Sequence, residues 1–203
     1  MERALVRNGV NGEIPDTPKP GDASLARATA RVIGSRRDAM AGAEAAARER
    51  GYHPIVMADA VVGEARETAP TWLEQVRSAA AGVGRPACVI SSGETTVRVT
   101  GRGTGGRNLE LALAVAELVS GVPGTVAAAS IGTDGIDGTS GVAGAIVDST
   151  TMARARAAGL QAPGHYLAAN DSFAFFASLD DVIRLGRTDT NVGDLQVMLI
   201  EQG

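Results

Sequence analysis

Short β-like runs alternate with helix-like segments along most of this 203-residue chain. The run HPIVMAD precedes the helical TWLEQVRSAAAG, and the apolar helix NLELALAVAELVSG precedes the small-residue run TVAAASIG. Strands that alternate with helices of this length predict a layered α/β fold, in which a mostly parallel sheet is flanked by helices. Ligands of such folds bind outside the carboxyl ends of the strands, so the loops there are where a site is expected.

The periodicity of apolar residues also assigns the remaining elements. Further strands are predicted at ARVIG, at PACVISS and TTVRVTG on either side of a turn-like SGE, at AGAIVDS and at LQVMLIE. Further helices are predicted at DAMAGAEAAARERG, TTMARARAAG and DSFAFFASL. We expect a single α/β domain over residues 25–203. Residues 1–24 hold Pro15, Pro18 and Pro20, a composition typical of an extended linker without a core of its own.

Charge and cysteine content exclude several classes of protein. The net charge is −4 and acidic and basic residues are interspersed, so neither a nucleic-acid surface nor an anionic-membrane surface is predicted. No apolar run reaches the ~18 residues of a membrane span, and the first residues lack the apolar core of a signal peptide. The single cysteine, Cys88, lies in an apolar run and is expected to be buried, which fits a reducing, cytoplasmic location.

The stretch GRGTGGRN, residues 101–108, is the strongest candidate for a ligand site. A glycine-rich turn that leads into a helix brings unpaired backbone N–H groups together, and the helix dipole adds positive potential there. Asn108 is a plausible N-cap. Arg107 would lie beside the helix mouth, where its planar group can bind a phosphate or a carboxylate through two contacts. The pattern therefore predicts an anion site.

Several interpretations of this turn compete. Gly101, Gly103 and Gly106 have the spacing of a dinucleotide-binding fingerprint, but residues 120–133 contain no acidic residue for the expected ribose contact. An ATP-binding P-loop is excluded, because Lys19 is the only lysine of the chain. A phosphate site of another kind and a turn with no ligand both stay open.

Two more polar stretches follow predicted strands. In SSGETT, Ser92 and Thr95 could bind phosphate oxygens, while Glu94 could orient an arginine or accept a substrate hydroxyl; a tight β-turn explains the same residues equally well. In IGTDGIDG, the carboxylates of Asp134 and Asp137 could hold magnesium through water or bind sugar-like hydroxyls. Asp-Gly pairs are also ordinary turn formers, so that alternative stays open too.

Taken together, IPDTPKPGD, VIGSRR, SSGETTVRV, GTGGRNLELALA, IGTDGIDG and TNVGDL resemble one family. These segments are similar to the C-terminal half of class II glycerate kinases, a region named the MOFRL domain, whose relatives are often labelled hydroxypyruvate reductases. The resemblance runs from about Glu13 to Ile200. It implies ATP-dependent phosphorylation of D-glycerate, with ATP and Mg²⁺ as cofactors, rather than a nicotinamide site.

The resemblance also implies roles for individual residues. Arg107 matches the arginine that stabilises the transferring phosphoryl group, and Asp134 and Asp137 are the expected magnesium ligands. Substrate or nucleotide contacts are expected from a further set that faces the same cleft: Ser92, Gly93, Glu94, Thr95, Gly105, Gly106, Asn108 and Asn191. The sequence departs from the family pattern where Ser92 replaces a glycine and Thr139 replaces a proline.

Members of this family have two α/β domains with the active site in the cleft between them, and this sequence resembles only the second. We therefore expect an N-terminal kinase domain, or its homologue, to supply the other side of the cleft. The 203-residue chain alone is expected to be inactive. Two other interpretations stay open: a hydroxypyruvate reductase that uses NAD(P)H, and a non-catalytic ligand-binding module. The sequence leaves the oligomeric state, including a homo-oligomer, open.

Overall fold

The computed structural model describes residues 7–14, 17–119, 121–122 and 124–201. The chain divides into two compact units, residues 1–33 and 34–203. In the first unit, Ala23–Leu25 form a short 3₁₀-helix whose first turn is capped by the carboxylate of Asp22. The predicted domain boundary after residue 24 falls inside this unit, and Pro15 of the predicted linker lies outside the described residues.

The second unit contains the helices and strands that build the candidate site. Its helices are α1 (Arg36–Glu49), α2 (Ala65–Ala80), α3 (Arg107–Val119), α4 (Thr151–Ala157), α5 (Pro163–Ala169) and α6 (Ser172–Leu179). Its strands are β1 (His53–Glu64), β2 (Ala87–Thr96), β3 (Val126–Gly132), β4 (Gly144–Asp148), β5 (Val182–Ile183) and β6 (Asp194–Ile200). Among the described residues, no helix is long and apolar enough to cross a membrane.

The six strands form one sheet in the order β1-β2-β6-β3-β4-β5. This arrangement confirms the layered α/β class, but the sheet is mixed rather than mostly parallel. β1 and β2 pair in parallel, whereas β6 lies between β2 and β3 and runs antiparallel to both. The remaining pairs, β3–β4 and β4–β5, are also antiparallel. Hydrophobic periodicity identifies strands but not their order, so the insertion of β6 could not be anticipated.

Helices cover the two faces of the sheet unequally. α2, α3 and α6 pack against one face, where Val89 and Met198 belong to the larger apolar cluster. On the other face, α1 covers Cys88 and Ile90, which form a smaller cluster. Cys88 is therefore buried, as predicted. α3 is buried along most of its length, which fixes the position of its N-terminus.

β2 differs from its predicted form in a way that bears on the site. The predicted turn at SGE is absent: β2 continues through Thr96, because its second half pairs in parallel with β1. Gly93 permits this close pairing, since a Cβ there would overlap the backbone of Val61. Residues 97–106 are irregular, and so is the predicted strand ARVIG. The chain thus crosses from β2 to α3 by a ten-residue loop rather than by a tight turn.

Candidate functional site

A cleft of about 710 Å³ opens where β2 ends and α3 begins. Five of the residues predicted from the sequence lie together along it: Glu94, Thr95, Gly105, Gly106 and Arg107. The opposite part of the lining comes from the loop after β3, at Gly138 and Thr139, and from Asn170 between α5 and α6. The cleft therefore lies at the end of β2 where a ligand site of an α/β fold is expected.

The glycines of GRGTGGRN allow close packing rather than an unusual backbone conformation. None of the four has a positive φ angle. A Cβ on Gly101 would overlap the carbonyl oxygen of Ala169, and one on Gly103 would overlap the Cβ of Asp171. On the other two it would meet Ser172 or the carboxyl group of Asp137. The loop is therefore pressed against its neighbours, and it is not a flexible turn.

This packing predicts a clear difference between two glycine-to-alanine substitutions. Gly103→Ala is expected to lower the free energy of unfolding by about 2 kcal/mol, because backbone and Cβ atoms of the neighbouring segment must move aside. Gly42→Ala, in α1 where nothing lies within 4 Å of an added Cβ, should raise it by about 0.5–1 kcal/mol. Urea unfolding of both variants measures the difference. Equal stability would contradict the packing role of Gly103.

Two polar side chains at the α5–α6 corner anchor the same loop. Asn170, which ends α5 with φ 52°, accepts hydrogen bonds from the backbone N–H groups of Thr100 and Gly101, each at 2.8 Å. The carboxylate of Asp171 accepts one from the N–H of Thr104 at 2.9 Å. The contact of Asn170 with this loop was not predicted from the sequence. These bonds position the glycine-rich stretch at the cleft.

The N-terminus of α3 is capped by a distant carboxylate. Asp137 accepts hydrogen bonds from the backbone N–H of Asn108 at 3.1 Å and from that of Leu109 at 2.9 Å. Asn108 is not the N-cap: it is buried inside the first turn, where its Nδ2 donates to Asp137 and its Oδ1 accepts from Ser130. Burial raises the pKa of Asp137, although these hydrogen bonds oppose the shift. Asn108 and Asp137 thus have structural roles in the described geometry.

Three backbone N–H groups at this helix end remain open. Those of Gly105, Gly106 and Arg107 donate to no acceptor within the described ranges, and all three residues line the cleft. The next N–H groups along the helix are the ones that Asp137 satisfies. Successive unpaired N–H groups at a helix N-terminus carry partial positive charge and favour a bound anion. The sequence pattern predicted unpaired N–H groups at this helix end; that they bind an anion stays a prediction.

Arg107 is held by a carboxylate that sequence reasoning missed as its partner. Its Nε and Nη2 donate to the two oxygens of Asp194 at 2.7 and 2.8 Å. Glu94 approaches Nη2 at 3.6 Å from the exposed side. The hydrogen bonds to Asp194 raise the pKa of Arg107 despite its partial burial. The signal available in the sequence was TNVGDL, one of the segments that carry the family resemblance.

A second buried ion pair lies one helical turn further along α3. Glu110 is 1% exposed and accepts a hydrogen bond from Arg66 Nε at 2.7 Å and one from Asn170 Nδ2 at 3.3 Å. In the described residues, the buried Nη2 of Arg66 has no hydrogen-bond partner. The ion pair of Glu110 was not predicted from the sequence. The charged residues along the cleft are therefore Glu94, Arg107 and Glu110, so its lining carries more negative than positive charge.

The remaining predicted residues do not line this cleft. Ser92 is fully buried, and its hydroxyl lies 3.5 Å from a nitrogen of Arg36. Asp134 and Asn191 lie together in a separate pocket of about 410 Å³. Each of these two side chains accepts a backbone hydrogen bond two residues further along the chain. Gly93 lies beside Asn191 in a third pocket. The predicted binding set is thus divided among several surfaces.

The predicted magnesium ligands do not form a metal cage. Within the described part of the chain, no three His, Cys, Asp or Glu side chains are placed to hold one ion. Asp137 does not fit a direct ligand role, because both of its oxygens accept N–H groups of α3. Asp134 keeps one oxygen without a hydrogen bond in the described residues. A magnesium site at these two residues stays a prediction from the resemblance.

Fold and site together define an α/β domain with a cleft at the N-terminus of a buried helix. The chain belongs to the MOFRL family, whose model matches residues 87–194. Among curated relatives, a putative hydroxypyruvate reductase of Agrobacterium vitis is 36% identical over 190 residues, covering 91% of this chain and 42% of the relative. The D-glycerate 2-kinase of Thermotoga maritima is 35% identical over 190 residues, covering 92% and 44%.

Solved structures agree with these relatives. A crystal structure of glycerate kinase from Thermotoga maritima has a TM-score of 0.78 and 32% identity, and it covers 98% of this chain and 50% of that one. The PH0495 protein of Pyrococcus horikoshii has a TM-score of 0.75 and 27% identity, covering 99% and 46%. The chain thus spans about half the length of the proteins it matches, and the resemblance to this family is confirmed.

Proposed function

We propose that this chain forms one side of the active site of an ATP-dependent kinase that phosphorylates D-glycerate. The observation that carries the proposal is the row of open N–H groups at Gly105, Gly106 and Arg107, which faces the cleft beside a guanidinium group. Phosphoryl transfer depends mostly on positioning and on neutralising charge; the N–H groups and the guanidinium would supply positioning and part of the positive charge. The names of the relatives support glycerate as the acceptor.

In the proposed reaction, a hydroxyl oxygen of glycerate forms a bond to the γ-phosphorus of ATP, while the bond from that phosphorus to the β,γ-bridging oxygen breaks. ADP leaves and the hydroxyl proton is released. Arg107 and the three N–H groups would contact the oxygens of the transferring group, where charge is spread in the transition state. Glu94, which is 65% exposed beside Arg107, would accept the hydrogen bond of the glycerate hydroxyl.

The proposal gives the nucleotide a magnesium ion without a protein cage. Mg²⁺ usually keeps several waters and is held by one or two carboxylates together with substrate phosphates. Both oxygens of Asp137 are engaged by N–H groups of α3, so of the two predicted ligands only Asp134 would be able to approach such an ion. The cleft lining has more carboxylates than guanidinium groups, so binding of a free polyphosphate to this chain alone should be weak, in about the millimolar range.

A reductase is the second candidate, and the name of the Agrobacterium vitis relative favours it. The geometry argues against a nicotinamide at the glycine-rich loop. In a dinucleotide-binding unit the glycines form a tight turn between a strand and a helix. Here residues 97–106 separate β2 from α3, and the first two glycines of the pattern pack against the α5–α6 corner. The kinase interpretation is therefore preferred.

One experiment separates these functions. The 203-residue chain is assayed for ADP formation with D-glycerate and for NADH oxidation with hydroxypyruvate, alone and with the unmatched half of a relative expressed separately. We expect no ADP formation by the chain alone, because a one-sided site leaves the phosphates in water, where charge contacts are weak. Addition of the second half should restore ADP formation. NADH oxidation would contradict the proposal in favour of the reductase.

Two further results are informative. Robust ADP formation by the chain alone would show that one side of the cleft suffices. Ligand binding without turnover, even with a relative's second half that is shown to dock, would favour the non-catalytic binding module. An assembly with Gly42→Ala serves as the matched control, because that position is exposed in α1 and has nothing within 4 Å of an added Cβ. Its turnover should equal that of the wild type.

A further inference from the structure

The guanidinium group of Arg107 is hydrogen-bonded to Asp194 and is therefore not a free side chain. Asp194 is fully buried, whereas the side chain of Arg107 is 25% exposed and lines the cleft. The two parallel hydrogen bonds between them fix both the position and the orientation of the planar group. Nη1 makes no hydrogen bond within the described part of the chain, so it stays open for a ligand. Asp194 thus determines which edge of the guanidinium is available.

The backbone of Asp194 is held in the sheet by a neighbouring strand on each side. Asp194 is the first residue of β6, and its backbone pairs with Gly93 of β2 on one side and with Gly132 of β3 on the other. The chain enters β6 through Gly193, which has φ 91° and lies close to Gly93. Only glycine adopts this conformation at little cost. A side chain mounted between two strands in this way is a rigid support for a flexible arginine.

The charge of Asp194 also acts on the site. It stands at hydrogen-bond distance from Arg107, so it cancels much of the positive charge that a bound phosphate would meet. A buried ion pair is weak evidence for stability, because the cost of desolvation offsets the attraction. A guanidinium that is held firmly does not have to be reorganised when charge develops in the transition state, which is how a preorganised group raises a rate.

From this geometry, and resting on the proposed function, we propose that Asp194 is a positioning residue for phosphoryl transfer. It orients Arg107 toward the cleft and weakens the attraction of Arg107 for an anion before transfer. Asp194 itself does not touch the substrate. A residue that only stabilised the fold would give no change in anion affinity when its charge is removed, so the two roles predict different measurements.

The experiment uses Asp194→Asn in the 203-residue chain and inorganic pyrophosphate as the probe. Removal of the negative charge beside Arg107 is expected to tighten pyrophosphate binding by about three- to tenfold, measured by calorimetry. The side-chain N–H of Arg107 should exchange with water at least about tenfold faster by NMR, because one strong acceptor is lost. Tighter binding by a less ordered arginine is the signature of the positioning role.

Two further variants keep the outcome clear. Asp181→Asn is the matched control, because Asp181 pairs with Arg154 at 2.9 Å outside the cleft. It should lower stability without changing pyrophosphate affinity. If Asp194→Asn does not fold, Asp194→Glu keeps the charge and moves the carboxylate by one methylene. That variant should show faster exchange at Arg107 with nearly unchanged affinity, whereas unchanged exchange would contradict the proposal.

The Arg107→Ala and Asp194→Asn variants together separate the anion site from the positioning role of Asp194. If Arg107→Ala binds pyrophosphate as well as the wild type, the anion site itself is wrong. If Arg107→Ala weakens binding but Asp194→Asn leaves it unchanged or weaker, the anion site stands and the positioning role of Asp194 is wrong.

Discussion

Replacement of Asp137 by alanine is expected to lower the free energy of unfolding by about 3 kcal/mol. The substitution removes the carboxylate that accepts the N–H groups of Asn108 and Leu109, and it leaves both donors buried. Loss of a cap costs about 1 kcal/mol, and a buried donor without an acceptor costs about 1–3 kcal/mol more. The corresponding fall in Tm is about 10 °C for a domain of this size, measured by calorimetry or circular dichroism.

Asp134 provides the comparison for Asp137. Among the described residues, its carboxylate accepts a hydrogen bond only from the N–H of Ile136, within a partly exposed turn. Asp134→Asn should therefore change stability by less than about 1 kcal/mol. Asp137→Asn should lie between the two, because its amide turns one acceptor into a donor facing an N–H group. Wild-type stability of Asp137→Ala would contradict the capping role and return Asp137 to the predicted metal role.

Replacement of Arg107 by alanine is expected to lower kcat of the assembled enzyme by about 10²–10³, the effect of losing one transition-state charge contact. Arg107→Lys should restore little, because a point charge cannot reproduce a planar fork that contacts Asp194 and is proposed to contact the phosphoryl group as well. Steady-state assays of ADP formation measure both variants. Wild-type turnover by Arg107→Ala would remove Arg107 from the proposed chemistry.

A structural loss must be separated from a catalytic one in this experiment. Arg107→Ala leaves the fully buried Asp194 without its partner, which is expected to cost about 3–5 kcal/mol of stability. The double variant Arg107→Ala, Asp194→Asn removes that unpaired charge, so its stability should recover while its turnover stays low. Recovery of turnover together with stability would mean that Arg107 acts only through the fold.

Local patterns in the sequence were sufficient for most of the elements. The 14-residue helix α1 overlaps most of the predicted alanine-rich segment. Gly51, just after its end, has φ 80°, because a helix end favours a residue that adopts positive φ. α3 and β3 also lie where apolar periodicity placed them. The placement of the glycine-rich stretch and Arg107 along one cleft could be anticipated because these residues are neighbours in the sequence.

Contacts between distant residues were not accessible in this way. Asp137 caps α3 by accepting the N–H of Asn108, which lies 29 residues earlier in the sequence, and Asp194 contacts Arg107 across 87 residues. Both contacts depend on the order of strands in the sheet, which periodicity does not encode. The short strand β5 and the helix α5 were missed as well, since two residues and seven residues give too few apolar positions for a periodic signal.

The central place of β6 has a consequence for biosynthesis. As the chain leaves the ribosome, β1 and β2 can pair with each other, and β3 can pair with β4, well before β6 is made. These two half-sheets meet only through β6, so each exposes an unpaired edge until then. Long-range pairing of this kind slows folding and exposes nascent chains to aggregation. Arg107 likewise cannot pair with Asp194 until β6 is made, so the cleft takes its final form only in the last stage of folding.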